Sequence, residues 1–165
     1  MATSLGRQYS ARKILTHTRR SEEIDNESYY ELSPNYVAYL HSQVPMYKKA
    51  FSGPLVRFRI DVSAAYNCHG LTFASRRTCI FSSEEIRKII EHDGYDRVDL
   101  DKVVPGDILL YVADGDVEHS GVVVGIGVGL VPLILSKWGL GPEIIHPANV
   151  CPYSYVAPEY YRVSQ

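Results

Sequence analysis

Pro105-Gly106-Asp107-Ile108-Leu109-Leu110-Tyr111, followed by Glu118-His119-Ser120-Gly121-Val122-Val123-Val124-Gly125, is the stretch whose reading decides the fold. Pro-Gly-Asp reads as a turn, and the apolar runs on either side of Asp114-Gly115-Asp116 read as paired strands over 108–112 and 119–126. Downstream, turn signals at 125–129 and 139–142 separate further short strands over 131–137, 143–146 and 160–163. Upstream the periodicity changes. Ser82 reads as an N-cap with Glu85 three residues on, and Ile86, Ile89 and Ile90 form one apolar stripe ending before Gly94. A shorter helix is expected over 34–42, an extended segment over 55–61, and a helix beginning after Asn67, with Leu71, Phe73 and Ala74 toward the core. Helices come first and an antiparallel sheet follows, so the fold class is α+β.

The chain has 165 residues, 45% of them apolar, which is enough for one domain that buries roughly two-thirds of its unfolded surface without disulfide or metal support. Residues 1–32 stand apart from a single domain over 33–165. They carry Arg7, Arg12, Lys13, Arg19 and Arg20, then Glu22, Glu23, Asp25, Glu27 and Glu31, with no hydrophobic period, and read as a flexible or loosely docked arm. The net charge of −2 argues against duplex nucleic acid or an anionic surface as the dominant partner. No window reaches the length of a membrane span, and no secretory signal pattern opens the chain. The expected location is therefore cytoplasmic, or exported without a classical signal. Thirteen tyrosines read mainly as half-buried packing.

Three cysteines, Cys68, Cys79 and Cys151, make an odd set without metal-type spacing. A disulfide framework is not expected, nor is a metal site or any other cofactor. Cys79 and Cys151 read as structural. Cys68 differs because it lies in Tyr66-Asn67-Cys68-His69-Gly70, a polar setting poor for core packing. Asn67 is a good N-cap, Gly70 permits a close backbone approach, and the first turn of a helix favours a thiolate and offers N–H groups to an oxyanion. His119 opens a strand at a sheet edge and is the candidate base. His146, or else Ser136, is the candidate orienting group, and Tyr66 and His69 are candidate cleft residues. Cys68 and His69 point about 100° apart on a helix, so His69 is not expected to share the thiol's proton. Gly125-Ile126-Gly127-Val128-Gly129 lacks the Lys-Ser/Thr of a phosphate loop and reads as a turn.

Asn67-Cys68-His69-Gly70-Leu71, Pro105-Gly106-Asp107-Ile108 and His119-Ser120-Gly121-Val122-Val123-Val124-Gly125 together resemble the NlpC/P60 superfamily of papain-like cysteine hydrolases, with its CHAP relatives. The resemblance spans about 60–155. It implies a nucleophile helix packed on a small antiparallel sheet or half-barrel. Cys68 would be the nucleophile, His119 the general base and acid, and His146 or Ser136 the third residue. The implied activity is that of a thiol protease or amidase on a peptide or peptidoglycan-like amide. A non-catalytic papain-like binding module and an acyltransferase are the alternatives.

Overall fold

The computed structural model describes residues 11–14, 16–30, 32–152 and 157–164. The N-terminal Met1–Arg7 stretch and Glu31 lie outside them. In chain order the elements are β1 (Ala11–Arg12), β2 (Ser28–Tyr29), α1 (Pro34–Ser42), α2 (Val44–Ala50), β3 (Arg57–Ile60), α3 (Cys68–Phe73) and α4 (Ser83–His92). They continue with β4 (Tyr95–Val98), β5 (Ile108–Ala113), β6 (Asp116–Ile126), β7 (Pro132–Lys137), β8 (Glu143–Pro147) and β9 (Ala157–Val163). Among the described residues β3 to β9 form a seven-stranded antiparallel sheet in the order β3-β8-β7-β6-β5-β9-β4. The α+β class holds.

Alternation along the central strands divides the core between two faces. One face carries Leu109, Tyr111, Val123, Ile134 and Tyr160. The other carries Leu110 and Val117, on which Ile86 and Ile89 of α4 and Ile80 pack. Ser82 caps α4, its hydroxyl accepting from the Glu84 N–H at 3.2 Å. The expected capping box does not close: Glu85 instead accepts from the Asp25 N–H at 3.0 Å and pairs with Lys88. A neighbouring segment thus outcompetes the local bond. α2 was not expected from the sequence, although Pro45 in its first turn is compatible with a helix.

The Gly-Asp turn serves to hold the sheet together. Asp107 is buried and accepts from the Val104 N–H at 2.8 Å and from Arg162 at 2.6 and 2.8 Å. This fork ties the start of β5 to the end of β9, a bidentate geometry that lysine could not supply.

The N-terminal segment corrects the expectation of a loosely docked arm over its described residues. Ile24 is buried in the cluster under α4, and the Asn26 side chain donates to the Ile14 and Ile24 carbonyls at 2.9 and 2.8 Å. Glu27 and Cys79 exchange backbone hydrogen bonds at 3.0 and 2.7 Å. Lys13 lies 2.8 Å from Glu23 and 3.1 Å from Asp25, so the reversal of charge along this segment is matched in space. One apolar side chain and one buried amide anchor it, and neither produces a periodic pattern.

Gly70 is where α3 meets the Thr78 strand segment most closely. A Cβ built there would lie 1.6 Å from the Thr78 carbonyl oxygen, a backbone atom with no rotamer to yield. Gly70→Ala is therefore expected to lower unfolding stability by about 2–3 kcal/mol, read as a reduced midpoint in urea. An unchanged midpoint would contradict this close packing.

Candidate active site

Asn67 fixes the start of α3 more firmly than an ordinary cap. Its Oδ1 accepts from the N–H groups of Gly70 at 2.9 Å and Ile80 at 3.1 Å, while its Nδ2 donates to the Ile80 carbonyl at 2.6 Å. All these groups are buried, so the cap also pins Cys68 to the adjacent chain. Cys68 follows with 6% of its surface exposed.

β6 reaches Cys68 because β7 ends early. The last β6–β7 pair toward the start of β6 is Gly121 with Ser136, and beyond it β6 continues alongside β5. The Ser120 N–H lies past that last pair, and with the N–H groups of His69 and Cys68 it favours ionisation of the Cys68 thiol. Ser120 Oγ meets His69 Nδ1 at 2.8 Å and Thr72 Oγ1 at 3.0 Å, locking β6 onto α3. A β-bulge between the Tyr111–His119 and Val112–Val117 pairs lies beside this point.

His119 turns to the sheet face opposite Ser120, where its ring stacks on Trp138 with centroids 3.9 Å apart and planes at 23°. The Tyr111 ring lies 5.8 Å from it, with planes at 27°. The imidazole is 2% exposed. Cys68 and His119 nevertheless line one cavity of about 450 Å³, joined there by Tyr47, Trp138 and Leu140.

Burial dominates the electrostatics. It pushes the Cys68 thiol up to about 11, although the three backbone N–H groups and the charge of Lys137 oppose it. Burial, followed by the nearby His69 and His146, holds His119 well below its ordinary value. The resting pair is thus a neutral thiol and a neutral imidazole. This corrects the expected depression of the thiol pKa at a helix start: α3 has only six residues, and desolvation outweighs its field.

His146 and Ser136 are not true alternatives, because they form one unit. Ser136 Oγ and His146 Nε2 lie 2.9 Å apart, and His146 Nδ1 lies 2.9 Å from the Pro147 carbonyl. A carbonyl only accepts, so Nδ1 carries the hydrogen and Nε2 accepts from the serine hydroxyl. Both ring nitrogens of His146 are therefore engaged, and Ser136 is the member beside Gly121, on the face that His119 occupies. Burial lowers His146 to about 4, so it stays neutral at physiological pH.

The two cleft candidates separate. His69 lines a second cavity, of about 530 Å³, on the other side of Cys68. Tyr66 instead donates to Glu143 Oε1 at 2.7 Å. Glu143 also accepts from Arg76 at 2.6 Å and stands opposite Lys137 in the β7–β8 ladder. Lys137 donates to the Gly141 carbonyl and lies over the Tyr66 ring, 4.9 Å from its centre. Tyr66 precedes α3 and Arg76 follows it, so this ionic group grips both ends of the helix that carries Cys68. Ser75 and Arg76 adopt the left-handed φ values of 50° and 64° that the grip requires. Neither Lys137, Glu143 nor Trp138 was singled out from sequence. Comparison with family models, curated proteins and solved structures finds no match to the chain.

Proposed function

We propose that the protein is a papain-like cysteine amidase or peptidase in which Cys68 is the nucleophile and His119 the proton carrier. The observation that carries this reading is the cavity that Cys68 and His119 line together. With both groups neutral at rest, the thiol proton passes to His119 as sulfur attacks the carbonyl carbon. The imidazolium then delivers that proton to the leaving amine. Water, deprotonated by His119, attacks the thioester, and the thiol is regenerated as the acid departs. N–H groups of Cys68 and His69 at the start of α3 supply the oxyanion donors. An amine in place of water would make the same residues an acyltransferase.

A non-catalytic binding module is the second reading, and the high thiol pKa is what favours it. Alkylation of Cys68 by iodoacetamide, followed by mass spectrometry against pH, separates the two. In a His119→Gln variant only free thiolate reacts, so the rate climbs about tenfold per pH unit toward a thiol pKa of about 11. In the native protein the neutral pair exchanges its proton during attack, which gives a pH-independent limb through neutrality. Superimposable profiles would overturn the catalytic reading.

A further inference from the structure

Cys68 separates two compartments of opposite character, and only one contains His119. The first, of about 450 Å³, presents Met46, Tyr47, Trp138, Leu140 and Pro152. The second, of about 530 Å³, presents Ser82, Ser83, Glu84, Arg87 and Asp116. Asn67, Cys68, Phe81 and Glu118 line both, so a single ligand could run from one into the other across the sulfur.

General acid catalysis assigns a direction to this cleft. The group that protonates the leaving nitrogen must stand beside it, so the amine half of the substrate occupies the compartment that holds His119. The acyl half then extends into the other. We propose that the protein cuts amides whose amine half is bulky and apolar and whose acyl half is polar and cationic. This rests on the catalytic reading above and adds the substrate class to it.

Three observations support the apolar half. Trp138 stacks on His119, placing an indole where the first group beyond the leaving nitrogen would lie. Met46, the α2 residue at this wall beside Tyr47, joins none of the core clusters among the described residues, and α2 has no buried residue. Met46 and Phe81, both lining this compartment, are 55% and 60% exposed, so large apolar side chains are open to a ligand there. For the acyl half, Glu84 and Asp116, which line this compartment alone, outnumber its one cation, Arg87, and favour a positively charged group. A charged side chain on the leaving amine would lose its hydration against Tyr47, Trp138 and Leu140, with Glu118, shared by both compartments, as the one carboxylate lining that half.

The test is a set of peptides with a fixed lysine-containing acyl half and Phe, Leu, Lys or Asp as the residue on the amine side of the cut. Products are quantified by mass spectrometry, and His119-dependent alkylation of Cys68 is measured in parallel. Phe and Leu peptides are expected to exceed Lys and Asp peptides in kcat/KM by roughly 30-fold or more. Met46→Asp is expected to reduce the Phe preference at least about tenfold. Equal rates, preference for Lys or Asp, or no cleavage of any peptide would overturn the assignment of the compartments, provided alkylation depends on His119. If alkylation is independent of His119, the catalytic reading itself fails.

Discussion

His119→Gln is expected to lower kcat/KM on the Phe peptide by about 10³-fold or more, and Cys68→Ala to lower it at least as far. The double variant is expected to be no slower than Cys68→Ala alone. Once the nucleophile is gone the imidazole has no thiol to deprotonate and no thioester to hydrolyse, so the two losses overlap rather than multiply. Glutamine retains much of the volume that the imidazole presents to Trp138 and Tyr111, so loss of packing is not the main effect. Steady-state rates of the three variants, with thermal unfolding as a control for folding, check this. Losses that multiply would mean that the two residues act independently, and the shared proton would have to be abandoned.

The strands were legible because Gly and Asp turns bracket them so regularly. The expected segments 108–112 and 143–146 fall within β5 and β8, and β6 starts earlier than expected only because Asp116 to Glu118 continue the β5 pairing through a bulge. β4 was not read as a strand: four residues with two charges in the middle give no alternation that differs from a loop. The helix that carries Cys68 was legible from Asn67 and Gly70, the first capping it and the second closing on Thr78. The third residue was ambiguous from sequence for a physical reason, since Ser136 and His146 hydrogen-bond each other across the β7–β8 ladder.

What escaped sequence reading is the charge placed inside. Lys137 and Glu143 lie within strands that read as apolar runs ending in solvent, and charged residues at strand ends are ordinarily surface residues. Both are fully buried here because β7 and β8 lie beneath α3 and its flanking residues. No local pattern signals that Tyr66 and Arg76, ten residues apart in sequence, would converge on one carboxylate. The charge of residue 137 also bears on the thiol, whose ionisation it favours. The ion pair under α3 and the ionisation of the Cys68 thiol therefore share a group.

Glu143→Leu is expected to be the most destabilising single change in this region, by about 3–5 kcal/mol near pH 7. It leaves Lys137, which is 0% exposed, with the Gly141 carbonyl and the Tyr66 ring but no counter-charge. Arg76 loses less because its side chain is 41% exposed and water can replace the carboxylate. The pH dependence identifies the cause. Burial already lowers Lys137 to about 8, with Glu143 working in the opposite direction. Removing Glu143 drops it further, while the unfolded value stays near 10.4. Where the unfolded chain binds the proton and the folded one does not, stability rises with pH. The variant enters that regime below pH 8 and the native protein only above about 8, so the deficit should narrow up to about that pH and stay level beyond it. Urea unfolding at pH 6, 7, 8 and 9 measures this directly. Adding Lys137→Met removes the stranded cation, and the double variant is expected to recover most of the loss, since an apolar pair of similar volume replaces a buried ion pair at little cost. A deficit independent of pH, or a double variant as unstable as Glu143→Leu alone, would show that Glu143 acts through shape and not through charge.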